Sequence, residues 1–332
     1  MTGNAFLRFF GNPAVALLCL LLVASLRFNR NDFIVSRPLD DAAFYIANVE
    51  KIRGIEPTTY SYKGPFNERV LGTTIAAFLP FSPLTAINVT NLFFLAAAAY
   101  FLFRLLRDTG IPEGLSWIGL YMFIFSFPTF YYSTIGYIDP TVLTCIFCGT
   151  WAIFTGRFTW YFIAVAAGAL AKENIAVLIP VALVYAFSNK EIKWGIGAVV
   201  AMAIILLINT FLRNLHKDVN DYIVFWQPGW FRVWDNFSRP NFYISTVLSW
   251  GLPFGVCMMY VFRYPAAVVR NLRNDLPVLT GIVFITATTS YMIIAAFPDG
   301  RNVWVAYCFP VFLAMRWWHR FGNPFAGLGK KS

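Results

Sequence analysis

The chain has 332 residues, of which 58% are hydrophobic, 19% aromatic and only 13% charged. A soluble globular domain is about 45–50% apolar and about 25% charged, so a water-soluble globule is excluded. The net charge of +10 invites a nucleic-acid reading, but the basic residues cluster in loops beside apolar stretches, which is membrane topology. Five long stretches carry no charge at all: Phe9–Leu26, Gly114–Ile138, Trp194–Leu212, Asn241–Phe262 and Leu276–Pro298. Each approaches the ~20 apolar residues that a helix needs to cross a bilayer. The alternation of a transmembrane barrel is absent. The expected fold is therefore an all-α polytopic membrane protein, a single transmembrane domain over residues 1–332.

The first stretch is longer than the apolar core of a secretory signal, and no small-residue cleavage site precedes Arg27–Arg30. It reads as a retained span. A large loop, residues 28–83, follows. Within it Asp40-Asp41-Ala-Ala-Phe44-Tyr45 has an acidic start after Pro38 and apolar residues at helical spacing. This predicts an N-capped amphipathic helix at the membrane surface. One Asp suffices for a cap, which leaves the other carboxylate for solvent or substrate. The loop ends on Glu68-Arg69-Val70-Leu71, where an interfacial arginine could either snorkel or clamp a phosphate in bidentate fashion.

Val70–Phe103 is also uncharged. It is too long for one crossing of ~30 Å and too short for two. Pro80 and Pro83 break it, which predicts a short helix over Arg69–Phe81 and one span from about Leu84 to Leu106. With the N-terminus cytoplasmic, ten spans then follow, at roughly 9–27, 84–106, 115–133, 140–156, 158–172, 174–188, 194–212, 246–262, 276–297 and 303–318. The cytoplasmic side carries +9 and the opposite side +1, as the positive-inside rule requires.

This topology sends carboxylates to the extracytoplasmic face in four separate turns: Asp40-Asp41, Asp139-Pro140, Lys172-Glu173 and Asp299-Gly-Arg301. Charges at membrane depth are costly and mark function. Each turn also has an ordinary explanation, namely capping, a hairpin tip or a tight turn, so their convergence on one face carries the inference. The loop over 213–245 places Trp226, Trp230 and Trp234 at intervals of four residues. They form either an aromatic belt at the headgroups or a lid over a lipid-linked sugar. Asn236-Phe-Ser238 is a glycosylation sequon. The five cysteines, Cys145-x-x-Cys148 included, sit in apolar segments and read as core packing.

The ordered set Asp40-Asp41-x-x-Phe44-Tyr45, Glu68-Arg69-Val70-Leu71, Tyr137-Ile-Asp139-Pro140, Leu170-Ala-Lys172-Glu173 and Asp299-Gly-Arg301 spans residues 37 to 315. In order and topology it resembles the GT-C superfamily of polytopic glycosyltransferases, particularly small bacterial members related to protein O-mannosyltransferases and the lipid A aminoarabinose transferase. The resemblance implies transfer of a sugar from a polyprenyl-phosphate donor to a glycan, lipid or protein acceptor at the outer face of a bacterial inner membrane. Both termini would be cytoplasmic. It further implies Asp40 as the general base, with Asp41 and Asp139 shaping the catalytic site. Arg69, Lys172, Glu173, Arg301 and Tyr45 become candidate substrate-binding residues. Some relatives use a divalent metal, which the outer carboxylates could hold through oxygen ligands. Many members carry a large soluble C-terminal domain that this chain lacks, which leaves the acceptor-binding part open. A transporter or flippase of a lipid-linked sugar is the alternative, although no internal repeat is evident.

Overall fold

The computed structural model describes residues 9–30, 41–56, 65–216, 229–238, 240–295 and 300–325. Among them every regular element is helical. The helices are α1 (Pro13–Ser25), α2 (Asp41–Ile52), α3 (Val70–Ala77), α4 (Pro83–Asp108), α5 (Glu113–Ile124), α6 (Phe127–Tyr132), α7 (Asp139–Phe154), α8 (Phe158–Ala171), α9 (Leu178–Asn189), α10 (Ile192–Leu215), α11 (Trp230–Phe237), α12 (Pro240–Arg263), α13 (Pro265–Ala295), α14 (Gly300–Trp304) and α15 (Cys308–Phe321).

Three helical segments are long and apolar enough to cross a membrane: Pro83–Asp108, Ile192–Leu215 and Ile244–Arg263. At most 39% of each apolar window is buried within the protein. Phe93, Leu206, Leu207, Phe211, Val247 and Phe262 all stand exposed. An apolar surface of this extent needs a lipid neighbour. Helix α7 is the opposite case, since nearly every residue from Asp139 to Ile153 is buried. It is the central helix, with α4 and α8 packed against it, and it is apolar all round because protein surrounds it.

The break at Pro80 and Pro83 is realised as expected. Helix α3 ends at Ala77, and α4 begins with Pro83 at its first position, where a missing N–H costs nothing. Three readings are corrected. The stretch 115–133 is two helices, because the Ser126 side chain accepts from the Thr129 backbone N–H and Pro128 opens α6. The loop expected before residue 276 is helical, so α13 runs 31 residues, about 46 Å at 1.5 Å per residue. Helix α2 does not merely lie on a surface: Ala42, Ala43, Phe44, Tyr45, Ala47, Asn48 and Val49 are all buried.

Contacts sort the helix termini into two groups. At one end Asn29 donates to Thr85 Oγ1 (2.9 Å), the Asn29 backbone N–H donates to Thr134 O (3.1 Å), and Arg213 pairs with Glu68 (3.5 Å). At the other end Tyr121 donates to Phe10 O (3.0 Å), Trp151 to Asp108 Oδ2 (2.8 Å) and Tyr260 to Gly322 O (2.6 Å). All five cysteines are free; Cys145 and Cys148 are both buried, Cys145 within the apolar core.

Candidate functional site

The first wall of the site is α2. Phe44 stacks on Phe66 with ring centroids 4.7 Å apart, and Tyr45 meets the same ring edge-on at 5.4 Å. These aromatic contacts fix the helix against the 3-10 turn Phe66–Glu68. Just past α2, Arg53 donates to the carbonyls of Ala76, Ala77, Leu79 and Phe81. A helix leaves its last carbonyls without partners, and one guanidinium here supplies them. The opposite end of α3 is thereby positioned, and Arg69 sits there as its N-terminal flanking residue.

Arg69 is buried. Its Nη1 donates to Tyr45 Oη and its Nη2 to Glu173 Oε1, both at 2.7 Å. Burial opposes the Arg69 charge, but Glu173 and then Tyr45 outweigh it and raise its pKa above the ordinary value. Burial also pushes the Tyr45 phenol up, against the nearby guanidinium. Arg69 is therefore a fixed cation and Tyr45 a fixed neutral hydroxyl.

The second wall is the turn that leads into α7. Asn91 on α4 donates to the carbonyls of Ser133 and Tyr137, and Asn88 accepts from the Gly136 backbone N–H at 2.8 Å. Gly136 has φ +94°, and a Cβ there would lie 3.0 Å from Ala42 Cβ. Only glycine combines that backbone conformation with so close an approach to α2. Asp139 follows, and its carboxylate is 2% exposed. One oxygen accepts from Lys172 Nζ at 2.6 Å. The other lies 3.7 Å from Arg301 Nη1.

Arg301, on α14, closes the arrangement. Its Nη1 donates to Asp41 Oδ2 at 2.9 Å, across 260 residues of sequence. Its guanidinium carbon stands 4.0 Å above the Tyr137 ring, a cation–π contact. The order is thus Asp41, Arg301, Asp139, Lys172, its neighbour Glu173, Arg69 and Tyr45. Charge alternates from Asp41 to Arg69, and the neutral Tyr45, one helical turn from Asp41 on α2, brings the set back to its start as a ring.

Seven of the expected residues, Asp41, Tyr45, Arg69, Asp139, Lys172, Glu173 and Arg301, therefore meet at one place. Asp40 and Asp299 lie outside the described residues, as does Trp226. The cations are not idle, however: Arg69, Lys172 and Arg301 each already hold a carboxylate. Asn236 is fully buried, so its sequon offers no accessible acceptor. Among the described residues no group of three or more His, Cys, Asp or Glu is arranged to hold a metal ion. Asn88, Asn91 and Arg53 have no place in the expected set, and Tyr137 enters it only as part of the motif around Asp139. The signal for Asn88 and Asn91 was available, as two asparagines one turn apart in an apolar span.

A second feature lies on the flank of the bundle. An apolar groove of about 1020 Å³ runs between α5 and α12, lined by Phe10, Trp117, Tyr121, Leu248, Leu252 and Tyr307 among others. Tyr307 lies on the link between α14, which carries Arg301, and α15. Helix α14 packs on α12 so closely that a Cβ on Gly300 would strike Ser249 and the Ser245 carbonyl.

The fold defines a helical membrane protein. Set against protein-family models, curated proteins and solved structures, the chain matches none of them.

Proposed function

We propose that this protein is a GT-C-like membrane glycosyltransferase. It would move a sugar from a polyprenyl-phosphate carrier to an acceptor hydroxyl at the extracytoplasmic face of a bacterial inner membrane. The observation that supports this reading most is the ring itself: residues from α2, the flank of α3, the start of α7, the α8–α9 turn and α14 bring three carboxylates and three cations to one end. The two groups of helix termini are those expected of ten antiparallel crossings. The short and broken helices would then complete the set begun by the three long ones, with both termini on the cytoplasmic side and the ring on the outer face.

In the transfer, the acceptor oxygen forms a bond to the anomeric carbon while the bond from that carbon to the donor phosphate oxygen breaks. The acceptor proton passes to a carboxylate, for which Asp40 is the assigned base and Asp41 the nearest described carboxylate. The phosphate leaves with the electron pair and needs positive charge held in place. Of the ion pairs in the ring, Arg69–Glu173 is the one with a substantially exposed carboxylate, 55% against 2% for Asp139 and 24% for Asp41. Glu173 can swing into solvent at low cost and leave Arg69, already fixed and charged, to the donor phosphate. The apolar groove offers room for a lipid chain.

The test is sugar transfer by purified protein in nanodiscs with a panel of polyprenyl-phosphate sugars. Wild type, Asp40→Asn and Asp41→Asn are compared with and without EDTA. Transfer by wild type that is lost in Asp40→Asn supports the assignment; equal rates in both move the base to Asp41. Loss of transfer in EDTA would add a divalent metal. The groove, which extends toward Phe10 at the opposite end, is what favours the alternative of a flippase. Carrier movement across the bilayer with no transfer to any acceptor would select that reading.

A further inference from the structure

Helix α11, a described part of the aromatic loop, supplies none of the ring residues. Helix α11 carries Trp230, Trp234 and Phe237 at i, i+4 and i+7, a single helical face, and these are 86%, 78% and 62% exposed. Phe231 beside them is exposed as well. Asn236, on another side of the helix, is the residue it buries. The helix packs against α13 and is tethered there by the Gly229 backbone N–H, which donates to Ile294 O at 3.2 Å. The aromatic face thus points away from the protein, and it does so where the adjoining surface is apolar too. Tyr291 and Ile294 on α13, the helix to which α11 is tethered, are both exposed.

We propose that α11 lies flat in the headgroup layer of the membrane, with its aromatic face turned into lipid, and does not act as a cover over the ring. Tryptophan suits this position because the large apolar ring enters the acyl boundary while the indole N–H stays with the polar headgroups. A short helix with one aromatic face and one polar face gains by lying in the interface plane. A lid would turn its apolar face toward the chain it covers, whereas this face stands exposed beside α13, where Tyr291 and Ile294 are exposed as well. The helix therefore marks the height of the membrane boundary beside the site, at the level of Ile294. The inference depends on the membrane setting and not on sugar transfer, so either reading can fail alone.

The experiment is tryptophan quenching in nanodiscs built from phosphatidylcholine brominated near the glycerol backbone or near the acyl terminus. The signal of the pair is the emission of wild type minus that of the Trp230→Phe/Trp234→Phe protein. Size exclusion and circular dichroism verify that the variant retains the wild-type fold. Lipid brominated near the glycerol should reduce the difference signal about twofold, with a smaller reduction for deep bromine. Quenching by aqueous iodide but by neither lipid would overturn the proposal, and so would quenching by none of the three, the result for a covered lid. Stronger quenching by deep bromine would also overturn it. The single variant Trp234→Phe gives the same comparison at reduced amplitude if the double variant does not fold.

Discussion

Two ionic clusters stand at opposite ends of the bundle, and they are built differently. Away from the ring, Asp275 on α13 is fully buried, and Trp317, Arg316 and Arg320, all on one helix, α15, surround it. Trp317 Nε1 donates to it at 2.8 Å, Arg320 at 3.0 Å, and Arg316 lies 3.3 Å away. At the ring no helix supplies more than two members, and the chain of charges includes the half-exposed Glu173. The Asp275 cluster staples two neighbouring helices with a carboxylate that is wholly enclosed and faces partners from α15. The ring instead keeps one partner, Glu173, substantially exposed at its rim. Burial of a charge alone does not distinguish the two; the number of converging segments and the exposure of the last partner do.

That distinction can be broken or sharpened by substitution. The largest effect should come from Asp275→Ala, which leaves two arginines and an indole without their acceptor. Removing one partner of a buried pair costs about 3–5 kcal/mol, and the partial exposure of Arg316 and Arg320 brings the expectation to the lower end. Denaturant unfolding in micelles should show it, while sugar transfer by the folded fraction stays at the wild-type level. A fall in transfer with no fall in stability would invert the comparison.

Next is the Asp139–Lys172 pair. Lys172→Met strands a buried carboxylate, and Asp139→Asn strands the ammonium, so each single change should destabilise by about 3 kcal/mol. The double variant should lie closer to wild type than the sum, with a coupling of about 1–3 kcal/mol. Additive losses would mean that the pair is not a unit.

Asn91→Ala removes two hydrogen bonds to buried carbonyls and should cost about 2 kcal/mol. It should also lower transfer, because the Ser133–Tyr137 turn carries both the ring under Arg301 and the approach to Asp139. Unchanged transfer in a destabilised variant would reduce Asn91 to a packing role. The smallest effect on stability belongs to Glu173→Gln, within about 0.5 kcal/mol because exposed pairs contribute little. If Glu173 is what the donor phosphate displaces, the same variant should change the KM for donor more than kcat.

Much of this was legible in the chain. The charge-free stretches located the apolar segments because lipid and protein interiors both reject unpaired charge. The prolines at 80 and 83 located the break because proline has no N–H to give a helix. The division at Ser126 was also written locally, as a cap followed by Pro128, but it was hidden inside a continuous apolar run whose length alone suggested one span. Arg270, Arg273 and Asp275 have the look of a loop before the apolar stretch that starts at Leu276. In the structure they ride on the 31-residue helix α13, and Asp275 is paired from α15.

Sequence alone determined the composition of the site: which turns carry carboxylates, which carry cations, and that they share a face. It could not determine who pairs with whom. Asp41 meets Arg301 only because α14 packs in near-backbone contact with α12 and Gly136 lets the α7 turn press against α2. Asp139 meets Lys172 only because α8 runs alongside the buried α7. Such pairings depend on approaches of a few ångströms between segments distant in the chain, and periodicity and residue type hold no record of those distances.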